Sequence, residues 1–188
     1  IEAKRKWAKD GRLLTGKSDV AHENRLPPGQ RLVKDWPVLD LGITPHVSAD
    51  DFRLDITGLV ENPLSLGFVD LLNLPNVRAR NDIHCVTSWS RYDNDWQGVL
   101  ALTLAEMVRP HPDAKHVLFT AHDGYTTNVR IDQFLDEDVL IAHHWNDEPL
   151  SEEHGGPVRV VVPKSYFWKS AKWVCRIELI GKNRPGFW

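Results

Sequence analysis

The sequence predicts an α+β fold built around mixed or antiparallel sheet, largely β, with few and short helices. Three observations carry that class. In DFRLDITGLV (51–60), Phe52, Leu54 and Ile56 alternate with Arg53, Asp55 and Thr57, the period of a half-buried strand. Further strand-like runs follow late in the chain: HVLFTA (116–121), TTNVRI (126–131), DVLIAHHW (138–145), PVRVVVP (157–163) and KWVCRIELI (172–180). Helical apolar spacing is confined to SLGFVDLLNLP (65–75) and LTLAEMVRP (102–110).

In chain order, the opening residues 1–50 are rich in charge, proline and glycine. Pro27, Pro28, Pro37 and Pro45 exclude regular helix there. This predicts an extended N-terminal arm over 1–35 lying on a domain of 36–188, whose regular structure starts at 51. Gly58 and the Asn62-Pro63 pair end the first strand. Ser65 opens the first helix and Pro75 closes it. VRARNDIHCV (77–86) reads as a strand running into a loop that holds Arg91, Asp93, Asp95 and Trp96. The second helix has Thr103 and Glu106 at capping-box spacing. Asp123-Gly124 marks a hairpin between 116–121 and 126–131. No repeat period or low-complexity tract appears.

At 188 residues, 41% hydrophobic and 26% charged, the chain has ordinary globular composition and length for one domain with a sizeable core. No apolar run approaches the roughly 18 residues of a membrane span. The net charge of -3 argues against nucleic acid as a partner, and KRKWAK (4–9) reads as a solvated arm. The chain opens at Ile1 with no visible signal peptide, and the expected compartment is the cytoplasm. Cys85 and Cys175 are its only cysteines, too few for a disulfide scaffold.

Cys85 lies in DIHCVTSWSRYDNDW (82–96), beside His84 and six residues before Arg91. A thiolate there suits a soft or highly charged transition metal, while a small apolar thiol at a strand end suits a core; the residues alone leave both open. Zinc is a poor fit, since there is no C-x-x-C, H-x-x-x-H or H-E-x-x-H. His143 and His144, adjacent in a strand, are expected on opposite faces. In 153–179, Arg159, Lys164, Lys169, Lys172, Ser165, Ser170 and the Gly155-Gly156 pair could hold an anion, or form a solvated basic hairpin. No G-x-G-x-x-G or P-loop is present. Thr120, His122 and Tyr125 fall near a strand end, where binding groups sit. Arg91 and Asp93 either shape a pocket or form internal ion pairs.

Taken together, the chain resembles the sulfite-oxidase family of molybdopterin-dependent oxidoreductases from about Pro27 to Trp188. The resemblance rests on FRLDITGLVENPLSL, the cysteine loop DIHCVTSWS, HGGPVRVVVP and the K-S-A-K-W segment, in that order. It implies a sulfite-oxidase-type molybdopterin-binding domain with a single pyranopterin-dithiolene molybdenum cofactor. Cys85 would be the protein thiolate on the metal. His154 and Arg159, in the family's H-G-x-P-x-R pattern, would bind the pterin or its phosphate, and Ser170, Ala171 and Lys172 the phosphate end. Thr120 would be a further contact, and Leu39 and Asp40 would cover the cofactor from the arm. Arg91 would orient an anionic substrate, with Tyr125 or Asp93 donating hydrogen bonds near the reacting oxygen.

The implied reaction is two-electron oxygen-atom transfer to or from a small sulfur- or nitrogen-containing substrate, with an electron donor or acceptor as partner. Animal members carry C-A-G-N-R-R where this chain has Cys85-Val-Thr-Ser-Trp-Ser-Arg91. The peptide-methionine-sulfoxide reductase branch begins this loop C-V-x-x-W-S, as here. Two rival readings stand beside it: a cysteine hydrolase with Cys85 as nucleophile and His154 or His144 as base, and a molybdopterin-binding protein without turnover.

Overall fold

The computed structural model describes residues 25–188. The basic run 4–9 and most of the predicted arm lie outside the described residues. Eleven strands follow in order: β1 (Arg31–Leu32), β2 (Arg53–Gly58), β3 (Leu64–Gly67), β4 (Asn76–His84), β5 (Trp89–Leu100), β6 (His116–Ala121), β7 (Thr126–Arg130), β8 (Leu140–Trp145), β9 (Glu148–Pro149), β10 (Arg159–Val161) and β11 (Val174–Ile180). Among the described residues three α-helices join them: α1 (Phe68–Asn73), α2 (Ala101–Val108) and α3 (Ile131–Phe134).

The strands form two sheets. One runs β1-β5-β8-β10, with β4 also on β5 and β9 on β8; the other runs β3-β2-β11-β6-β7. Most pairs are antiparallel, but β1 runs parallel to β5 and β2 parallel to β11, so the sheets are mixed as predicted. Leu54, Ile56, Phe119, Ile177 and Leu179 from the second sheet meet Val99, Ile141 and Val160 from the first, together with Leu104 and Val108 of α2. The neighbours of those first-sheet residues, Leu140, Ala142 and Val161, point the other way and pack with Cys85, Trp89 and Trp96. Both faces of the first sheet are therefore buried, which explains the continuous apolar runs of β8 and β10.

The outer face is covered by chain without regular structure, with Val33 and Trp36 packed against it. Three fasteners hold that segment. Arg25 donates two hydrogen bonds to Asp82, whose carboxylate is fully buried, and a third to Asp93. Arg31 and Leu32 pair with Trp89 and Ser90. Gln30 donates to the Cys85 carbonyl at 2.9 Å.

Several local expectations are corrected. Residues 64–67 form a strand, and helix begins only at Phe68, where the Asp70 carboxylate accepts from Gly67 N at 2.8 Å. The second helix starts at Ala101, so Thr103 lies inside it rather than capping it. The supposed loop after Cys85 is the longest strand, β5. His143 sits where the β5–β8 register jumps from Gln97↔His144 to Gly98↔Ala142. That bulge turns the two histidine rings edge to face at 4.7 Å, so they do not point apart.

Candidate active site

β4 and β5 form a hairpin whose turn carries Cys85. Its N–H donates to Trp89 O at 2.9 Å, Ser88 N donates back to Cys85 O at 3.1 Å, and Ser88 takes a φ of 76°. This buries the thiol, which is 5% exposed, yet leaves it on the wall of a cavity of about 380 Å³. Thr87 Oγ1 donates to Cys85 Sγ at 3.1 Å. His84 faces elsewhere, its Nδ1 paired with Ser90 Oγ.

The opposite wall comes from β10 and the turn before β11. Arg159 is 2% exposed; its guanidinium donates to His154 O at 2.6 Å and Ser170 O at 2.9 Å and lies 4.3 Å from the Phe167 ring centre. No carboxylate pairs with it among the described residues, and burial pulls its pKa down to about 9. Lys172 is brought down to about 8, first by burial and then by Arg159. Its Nζ donates to Glu153 O at 2.9 Å. Ser170 Oγ accepts from Val162 N at 3.0 Å, leaving its own proton to donate into the cavity that it lines. Gly155 makes this wall tight: at a φ of 103°, a Cβ there would sit 2.9 Å from Lys172 Cβ.

The covering segment Trp36–Leu41 supplies the third wall. Trp36 stacks on His154 at 3.8 Å and 7° between planes. Burial, then Arg159, Lys172 and Arg91, depress the His154 imidazole to about 4, so it is neutral at pH 7. Tyr125 also lines the cavity; its hydroxyl donates to Trp168 O at 2.7 Å, and burial raises its pKa to about 12.

The structure thus gathers Cys85, Tyr125, Leu39, Asp40, His154, Arg159, Ser170 and Lys172 around one cavity. Ala171 lies behind that wall in the core, accepting from Val160 N at 2.8 Å. Three further residues are not brought to it either. Arg91 Nε donates to Lys34 O at 3.2 Å, its Nη1 donates to Asn94, and its guanidinium lies 4.6 Å from the Trp145 ring centre. Asp93 takes a φ of 55° in a β5 bulge and pairs with Arg25. Thr120 alternates with core Phe119 and so faces the other side of its sheet, where Cys175 Sγ donates to its carbonyl. Sequence reasoning missed Trp36, Trp89, Trp168 and Trp188, all of which line the cavity. Their one signal was a tryptophan content of 8 in 188 residues.

A molybdopterin cofactor fits these residues. A buried thiol with a hydroxyl donor suits a metal, and a buried arginine without a carboxylate suits a phosphate or other anionic group. Trp89 Nε1 is a buried donor without a partner among the described residues, on an indole that lines the same cavity. Residues 41–188 match the family model described as oxidoreductase molybdopterin binding domain. The chain belongs to this family, the sulfite-oxidase type of molybdopterin-dependent oxidoreductases. It is 46% identical to the uncharacterized oxidoreductase YuiH of Bacillus subtilis, across 87% of this chain and 83% of that protein. It is 32% identical to the protein-methionine-sulfoxide reductase catalytic subunit MsrP of Gluconobacter oxydans, across 73% of this chain and 49% of that protein. Among solved structures, the sulfane dehydrogenase SoxCD of Paracoccus pantotrophus matches with a TM-score of 0.68 and 26% identity, across 74% of this chain and 40% of that one. The chain thus spans about half or less of these last two relatives. No helix among the described residues is long and apolar enough to cross a membrane.

Proposed function

We propose that the chain catalyses two-electron oxygen-atom transfer to or from a small sulfur- or nitrogen-containing substrate, exchanging electrons with a separate donor or acceptor. The observation that carries this reading is the pairing, across one cavity, of a buried thiol with a buried arginine that has no carboxylate partner among the described residues. The cofactor, when bound, supplies the redox chemistry; the protein binds, orients and tunes it. Cys85 would ligate the metal, with Thr87 donating to its sulfur. Arg159, Lys172 and Ser170 would hold the phosphate, and neutral His154, fixed by its stack on Trp36, would lie along the pterin. Tyr125 is a phenol that stays protonated and is anchored at Trp168 O, so it can accept a hydrogen bond from substrate without releasing a proton.

The hydrolase reading loses support on geometry. No histidine hydrogen-bonds Cys85 among the described residues: His154 is stacked on Trp36, and His144 abuts His143 away from the cavity. The test is molybdenum content and pterin fluorescence of wild type and Cys85→Ser, expressed in a host that makes the cofactor. About one metal per chain, with an altered metal signal in the variant, is expected from the ligand role. Metal-free wild type from that host would sink the proposal.

A further inference from the structure

The turn that carries Cys85 brings one hydroxyl onto its sulfur. Cys85-Val86-Thr87-Ser88 is closed by Ser88 N, which donates to Cys85 O at 3.1 Å. The chain leaves the turn through Ser88, at a φ of 76°, and enters β5, where Trp89 O accepts from Cys85 N at 2.9 Å. Thr87, third in the turn, lies back toward Cys85, and its Oγ1 donates to Sγ at 3.1 Å. The covering segment fixes the turn from outside. Gln30 Nε2 donates to Cys85 O at 2.9 Å, and Gln30 Oε1 accepts from Ser90 Oγ at 3.4 Å.

Among the described residues this is the one side-chain hydrogen bond to that sulfur. His84 is turned to Ser90, and the Tyr125 hydroxyl is committed to Trp168 O. Thr87 and Cys85 both line the cavity, so a group that fills it excludes water from this pair. Free of competing water and in a lower dielectric, a hydrogen bond to a charged sulfur strengthens.

Resting on the reading of Cys85 as the metal's thiolate, we propose that Thr87 is a positioning residue that sets the redox potential of the metal through that sulfur. A donor on a ligating sulfur withdraws charge from it. The more reduced metal leaves more charge on the sulfur, so the bond is stronger in that state and the potential rises. A difference of about tenfold in equilibrium constant lies within what one hydrogen bond to a charged group contributes. For a one-electron couple, tenfold is about 59 mV. Thr87 need neither touch substrate nor give up its proton for this.

The experiment is a redox titration of the molybdenum centre, followed by electron paramagnetic resonance, in cofactor-loaded full chain of measured metal content. Thr87→Val keeps the branched shape and removes the donor; Thr87→Ser restores the donor without the methyl. The valine variant should load metal as wild type does and titrate about 59 mV lower. The serine variant should return to the wild-type potential. A potential unchanged or raised in Thr87→Val, or lowered equally in Thr87→Ser, would overturn the inference and leave the thiolate reading standing. A valine variant that fails to load would also overturn it, because the hydroxyl would then hold the metal rather than tune it. Metal-free wild type would instead sink the thiolate reading itself, and this inference with it.

Discussion

Metal-free protein should lose about 4 kcal/mol of folding stability between pH 7 and pH 5, through His143 and His154. Each imidazole is held near a pKa of about 4 against an ordinary 6.5, His143 by burial and then His144, His154 by burial and then its three cationic neighbours. Above pH 6.5 both are neutral whether the chain is folded or not. Below it, the unfolded chain takes up two protons that the native state refuses, so stability falls by about 1.4 kcal/mol per pH unit for each histidine. The loss levels off near pH 4, where the native state is protonated too. Four kcal/mol is a large part of the roughly 5–15 that a domain has. Urea unfolding at pH 7, 6 and 5 measures it, and His143→Gln and His154→Gln should each remove about half of the slope. An anionic cofactor beside His154 raises its pKa, so loaded protein should keep only the His143 half, since His143 does not line the cavity. Equal slopes in loaded and metal-free protein would refute the placement of His154 against the cofactor.

Three further outcomes are expected. Arg91→Ala frees Lys34 O and uncovers Trp145, so the covering segment loosens. Pterin should leave on dialysis about tenfold faster, with Arg91→Lys a poor rescue because ammonium does not reproduce the fork and stack; retention equal to wild type would remove Arg91 from this role. Gly98→Ala places a Cβ 2.3 Å from Ile141 O, a backbone clash at the β5–β8 bulge. It should cost about 3 kcal/mol or more in urea unfolding, and a cost below about 1 would show that the sheet gives way there. No backbone hydrogen bond ties residues 37–43 to the body among the described residues. Their amides should exchange within seconds in metal-free protein and slow on cofactor loading; identical exchange in both forms would show that this segment does not close over the ligand.

Apolar alternation made β2, β6 and β11 legible, because each has a face in the inter-sheet core. β5 was not, because its first half, WSRYDNDW, buries polar groups that find partners across the ladder. Asn94 Nδ2 donates to Asn81 O and Arg91 O, and Trp96 Nε1 donates to Asn81 Oδ1. The bulge at Tyr92-Asp93 also shifts the alternation midway, so the directions of Arg91 and Asp93 depend on a register that only pairing with β4 fixes. In the site, Cys85, His154, Arg159 and Lys172 could be named from motif order. Trp36 and Trp188 could not, because they reach the cavity from segments without regular structure, through contacts such as Phe187 N to Thr126 O.

The way the first sheet is buried bears on how the site works. Its inner face is closed by the second sheet, a packing of strand on strand that cannot open without unfolding the core. Its outer face is closed by the covering segment alone. That segment is tied at its start by Arg25–Asp82, the β1 pairing, Arg91 and the stack of Trp36 on His154, and at its end by His46 against Glu152, with no backbone hydrogen bond over 37–43 among the described residues. The cavity that fits the cofactor is lined from both the covering segment and the sheets. The cations that fit it stand on the rigid layer, at a cost in stability: Arg159 pairs with no carboxylate among the described residues, and burial pulls its pKa down to about 9. Loading relieves that cost and adds a ligand for the loose layer to close upon, so cofactor affinity and ordering of the cover are one equilibrium.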